Sequence, residues 1–133
     1  MVTRRERQHE AMEEVKNILR GGDAEAGIIL VEGSRDADAL RALGTSADIE
    51  VSSHVGQTEP DVAKGLADKT GSVLVLTDFD KKGRYQATRL SQLLEAEGVR
   101  VHRELRRKIG KLMGVLSVKT IESLDNVAEK GTE

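Results

Sequence analysis

Two short apolar runs, GIILV at residues 27–31 and VLVLT at 73–77, constrain this chain more than any other feature. Neither alternates polar with apolar residues, so each reads as a strand buried on both faces, as in a parallel sheet covered by helices. Acid follows each run at once: Glu32 after the first, Asp78 and Asp80 after the second. Helical periodicity fills the intervals, with Met12, Val15, Ile18 and Leu19 inside residues 4–20, then RDADALRAL at 35–43. A modest helix at 59–69 has Pro60 in its first turn, and Leu90, Leu93 and Leu94 form a stripe within 84–97. Gly21-Gly22, Gly44 and Gly98 supply the stops. IEVSS and VRVH are weaker strand candidates. Strands alternating with helices of this length predict right-handed crossovers and an α/β fold, its mainly parallel sheet flanked by helices on both faces.

The 133 residues fit one domain: a core of about 27–102, an extra helix at about 4–20 and a helical extension at about 103–130. The apolar stripe of the first helix suits packing either on its own sheet or on a second subunit. With no cysteine, disulfides and thiolate zinc sites are excluded, and a reducing interior fits. One Phe, one Tyr and no Trp leave the core to Val, Ile, Leu and Ala, with no aromatic platform for stacking single-stranded bases. The opening residues MVTRRERQHE are charged, and no apolar run reaches the length of a signal or a membrane span. The expected location is therefore the cytoplasm, with no membrane partner. A net charge of -2 argues against indiscriminate coating of nucleic acid, though not against a local basic patch.

In open parallel sheets ligands bind outside the carboxyl ends of the strands. Side chains alternate along a strand, so Asp78 and Asp80 face the same way if the strand persists that far, and Glu32 joins them if the two strands are neighbours. Alone, such a cluster is unfavourable: two carboxylates about 4 Å apart repel by about 4 kcal/mol near a protein surface. A divalent cation reverses the sign, and oxygen-only ligands suit Mg²⁺, with Mn²⁺ as a substitute. Any one of these acids taken alone, Asp36 included, is better explained as a turn or first-turn residue. Together, Glu32, Asp78 and Asp80 favour metal.

VEGSRDADAL and VLVLTDFDKKG together resemble the toprim domain, shared by topoisomerases, bacterial primases, recombination-repair proteins and small nucleases. Glu32-Gly33 with Asp36 is similar to its first motif, and Asp78-Phe79-Asp80 with Gly83 to its second; 46 positions separate Glu32 from Asp78. The resemblance implies a compact Rossmann-like fold, Glu32 as general acid or base at a phosphodiester, and Asp78 and Asp80 holding Mg²⁺ with Glu32 sharing it. Lys82 stands where topoisomerases usually carry a third acid, and the sole tyrosine, Tyr85, is expected to pack the start of its helix. Without cysteines the zinc module of primases is missing. The chain looks like small stand-alone, archaeal-type toprim proteins, the toprim ribonuclease of five-S ribosomal RNA being similar, although Phe79 replaces the usual Pro of that enzyme.

Lys81, Lys82 and Arg84 crowd the aspartates and offer contacts to phosphate. Further on, Arg103, Arg107 and Lys111 recur every four residues, on the outer face of a helix whose inner stripe is Leu105, Ile109, Leu112 and Met113. A solvated helix face and a phosphate-binding face explain these residues equally well. His9, His54 and His102 lack metal-ligand spacing. The leading expectation is a Mg²⁺-dependent nuclease, acting on RNA in preference to DNA, with room for a helper protein. The alternative is a non-catalytic module that binds metal and nucleic acid and needs a partner protein. A haloacid-dehalogenase-type phosphatase reading of DFD fails on Lys82 and on the lack of a later adjacent acidic pair.

Overall fold

A computed structural model of the chain describes residues 1–21 and 27–130. In chain order the elements are α1 (Arg4–Leu19), β1 (Ile28–Val31), α2 (Ser34–Ala42), β2 (Asp48–Val51), α3 (Glu59–Lys69), β3 (Ser72–Val75), α4 (Lys81–Ala96), β4 (Arg100–Val101), α5 (Arg103–Val115) and α6 (Ile121–Lys130). The strands form one sheet in the order β2-β1-β3-β4, every pairing parallel. Chain order reverses between β1 and β3, since β1 leads outward to β2 while β3 returns on its other side. That reversal opens a crevice at the carboxyl ends of β1 and β3.

Strict alternation along the two central strands divides the interior into two cores. Ile29, Val31, Leu74 and Leu76 face one side, where α1, α2, α5 and α6 contribute Val15, Ile18, Leu40, Ile109, Met113, Ile121 and Leu124. Ile28, Leu30, Val73 and Val75 face the other, against Val62 and Leu66 of α3 and Leu90 and Leu94 of α4. The stripe of α1 thus packs on its own sheet. Of the expected stops, Gly21 and Gly98 take φ of +91° and +84°, conformations that cost glycine little; Gly22 lies outside the described residues.

The helical extension over 103–130 is two helices, with Ser117 at φ +59° turning the chain after α5. Residues 131–133 of the tail lie outside the described residues. Two boundaries depart from expectation. Helix α4 begins at Lys81 rather than at residue 84, because Asp80 caps it, accepting from the Gly83 N–H at 2.7 Å. The other is β3, which ends at Val75, so strand alternation does not carry through to Asp78 and Asp80. Its partner β4 is only two residues long and the ladder ends where the His102 N–H meets the Val73 carbonyl. Beyond that point the carbonyls on this edge need another donor.

Candidate functional site

That donor is Arg106 of α5. Its guanidinium donates to the carbonyls of Val75 (3.0 Å), Thr77 (2.8 Å) and Asp78 (3.1 Å) and lies 4.1 Å from the centroid of the Phe79 ring. Burial brings its pKa down to about 10, with Asp78 pulling the other way, so at neutral pH it stays a cation. Phe79 is turned away from the acids and tucked into the core on the α5 side, so close to Gly110 that a methyl there would come within 2.8 Å of the ring. The Phe79 N–H donates to the Lys119 carbonyl at 2.6 Å, while the Ile121 N–H donates to Asp78 Oδ1 at 2.9 Å. Lys119, between α5 and α6, and Ile121, the first residue of α6, therefore hold residues 78 and 79 together.

On the opposite side the loop is held by α4. Buried Thr77 donates from Oγ1 to the Gly83 carbonyl at 2.6 Å. Helix and loop come so close that a Cβ on Gly83 would collide with the Asp78 carbonyl and lie 2.8 Å from its Cα. Glycine at 83 is a steric requirement.

The acids lie beyond the carboxyl ends of β1 and β3, and they point to different elements. Glu32 continues the β1 positions that face α4, where Lys82 Nζ and Gln86 Nε2 reach its Oε1 at 3.8 and 3.5 Å. Asp78 turns instead toward α6. Asp36 sits in the first turn of α2 and accepts from the Gly33 N–H at 3.1 Å. Burial raises the pKa of Asp78 above the ordinary 3.8; the Ile121 N–H opposes this, Asp80 and Glu32 add to it, and Arg106 offsets part. Asp36 is raised too, first by burial, against the Gly33 N–H, and then by Asp78, Glu32 and Glu122. Five carboxylates, with Glu122 of α6 among them, therefore share one electrostatic neighbourhood.

Among the described residues no three acidic or histidine side chains are gathered closely enough to hold a metal ion by themselves. The physical reason is that Asp78, Asp80 and Asp36 each spend an oxygen on a backbone N–H, and like charges keep the carboxylates apart. The donor set, carboxylate oxygens alone, suits a hard divalent cation that takes one or two carboxylates and keeps its waters.

The basic residues divide. Lys81, Lys82 and Arg84 lie in the first turn of α4, with Lys82 Nζ 3.8 Å from Glu32. Arg103 forms a bidentate pair with Glu95 at 2.8 and 2.7 Å, and this pairing raises its pKa. Arg107 and Lys111 are exposed on α5. Arg106 stands three residues before buried Ile109, on the inner stripe, and this position sets it apart from Arg103, Arg107 and Lys111 of the outer face. The Ile121 amide and Gln86 carried no such sequence signal. Tyr85 does not pack the helix start: it is 66% exposed. No helix among the described residues is long and apolar enough to cross a membrane.

A model of the Toprim domain matches residues 27–105. A UPF0292 protein of Pyrococcus horikoshii is 40% identical over 98 residues, covering 74% of this chain and 71% of its own. A UPF0292 protein of Methanosarcina barkeri is 31% identical over 121 residues, 91% of this chain and 82% of its own. A solved structure of a protein from Aquifex aeolicus superposes with a TM-score of 0.63 at 28% identity, over 86% of this chain and 95% of that one. Arg106 and residues 119–121, which hold the acidic loop, fall just beyond the matched segment.

Proposed function

This chain belongs to the Toprim family, whose members bind divalent metal and work on nucleic acid, and on that footing we propose that it is a Mg²⁺-dependent nuclease that processes RNA. The observation that supports the reading is the electrostatic coupling of Asp78 to Asp80 and Glu32 beyond the carboxyl ends of β1 and β3, with Lys81, Lys82 and Arg84 in the first turn of α4. Asp78 and Asp80 are the residues to hold the cation, with Glu32 sharing it. When bound, the cation neutralises charge growing on the phosphate oxygens. Glu32, half-buried and steadied by Gln86 and Lys82, exchanges the proton between the attacking water and the leaving hydroxyl. The first-turn lysines and Arg84 hold the flanking phosphates.

One observation favours a second reading, a non-catalytic module that docks nucleic acid with a partner protein: Asp78 and Asp80 each have an oxygen already committed to a backbone N–H. Incubating labelled structured RNA and DNA with the protein and Mg²⁺ or Mn²⁺ separates the two. The nuclease reading expects RNA cleavage that Glu32→Gln and Asp78→Asn abolish. Undiminished cleavage by both variants would sink it, whereas salt-sensitive binding without turnover in either metal selects the docking module.

A further inference from the structure

Although the sparse aromatic content argued against any stacking platform, we propose that the exposed ring of Tyr85 is one, taking a single unpaired nucleobase beside the acidic crevice. The proposal rests on the nucleic-acid reading above and specifies the form of substrate: a strand with an unpaired nucleotide next to the phosphate at Glu32. A tyrosine that is 66% exposed gives up the burial that usually holds an aromatic ring in place. This one is held all the same. The Arg89 guanidinium lies 4.5 Å from its centroid, and Arg89 is itself fixed by a two-bond pair with Glu59 of α3, at 2.9 and 3.1 Å. A ring braced by a cation on one face and open to solvent loses little freedom when a base settles on it.

Position supplies the second part. At about 100° per residue, Lys82, Tyr85, Gln86 and Arg89 fall within an arc of about 100° on α4. Lys82 and Gln86 are the two side chains of that arc that reach Glu32. The ring therefore shares the face of α4 whose Lys82 and Gln86 reach the candidate proton-transfer group, with Lys81, Lys82 and Arg84 one turn away for the backbone that joins base to phosphate. Phe79, the other aromatic, is closed off beneath Arg106 and against Gly110. A base in a duplex hides both its faces, so only an unpaired one can use the platform.

The chain offers its own reporter, because Tyr85 is its only tyrosine and it has no tryptophan. Single-stranded RNA, single-stranded DNA and a duplex of the same sequence are titrated with Mg²⁺ into wild type, Tyr85→Ala and Tyr85→Phe, following tyrosine emission and the anisotropy of a labelled strand. The expected result is quenching by single strands and little by duplex. Tyr85→Ala then loses about five- to hundredfold in single-strand affinity while Tyr85→Phe keeps it, and duplex affinity is unchanged. The site is exposed, so these variants keep the fold. RNA and DNA arms tell which strand the platform prefers. Binding with unquenched tyrosine, equal quenching by duplex, or wild-type affinity in Tyr85→Ala overturns the stacking and leaves the nucleic-acid reading standing. If no strand binds wild type, both fall.

Discussion

The guanidinium of Arg106 donates to the main-chain carbonyl of Asp78 at 3.1 Å, and this bond fixes the backbone from which the candidate metal ligand projects. The two residues lie 28 positions apart, on a strand's ragged end and on the helix that follows the next strand. Because β4 is too short to cover β3, a side chain finishes the ladder that a strand would otherwise have finished. Site geometry and fold stability thus share one cation.

Arg106→Met is expected to cost about 3 kcal/mol, since three carbonyls lose a charged donor and part of that edge is buried. Arg106→Lys recovers only a fraction, because a single ammonium cannot span the same acceptors in the plane of a guanidinium. Urea unfolding measures the stability, and Mg²⁺ titration at a temperature where each variant is folded measures the site. Wild-type metal affinity in a folded Arg106→Met would leave Arg106 a purely structural residue.

Gly83→Ala tests the close approach of α4 to the loop. Its methyl runs into the Asp78 carbonyl, and the obstacle is backbone rather than a flexible side-chain end. A loss of about 2 kcal/mol or more is expected, within the range for overpacking a rigid contact, together with weaker metal binding. A fully stable variant would show that the helix start can slide. Thermal unfolding with and without Mg²⁺ reads both effects.

Asp78→Asn is expected to stabilise the metal-free protein and raise its Tm modestly at neutral pH. The native pKa of Asp78 is raised above 3.8, so the folded state holds its proton where the unfolded chain has released it. Stability from this group is therefore complete below about 3.8 and is lost as pH rises through the raised native value. The gap between variant and wild type should accordingly open from pH 4 upward and level off. Asn keeps an oxygen for the Ile121 N–H, so exchange of that amide should stay slow. Addition of Mg²⁺ should reverse the order, stabilising only the wild type. A gap independent of pH would assign the effect to packing.

Ser117→Gly addresses the corner between α5 and α6. A serine at φ +59° carries the left-handed strain that glycine escapes, so a gain of about 0.5–1 kcal/mol is expected. Calorimetry gives the answer directly. An unchanged or lower Tm would mean that the serine side chain offsets its backbone cost.

Much of this molecule is legible in one dimension. The unbroken apolar runs at 28–31 and 73–76 had to be central strands, since nothing but a doubly covered sheet buries both of their faces, and the helices between them followed from periodicity and stops. Glu32, Asp78 and Asp80 were visible for the same reason: charges placed directly after buried strands can lie only at the sheet's carboxyl edge. What could not be read was how the acids are held and oriented. Local pattern did not set Arg106 apart from the other cations of its run, expected Tyr85 to pack the start of its helix and put Asp78 on the face of Asp80 only if the strand ran on, because neighbours in sequence were the only neighbours in view. Contacts that join residue 78 to 106 and 121, or 85 to 89 and 59, come from chain closure over long separations. The hydrophobic pattern, set by local side-chain periodicity, determined the layers and the crevice. The two-residue length of β4, the unsatisfied carbonyls it leaves and the cation that answers them were decided only when the whole chain had packed.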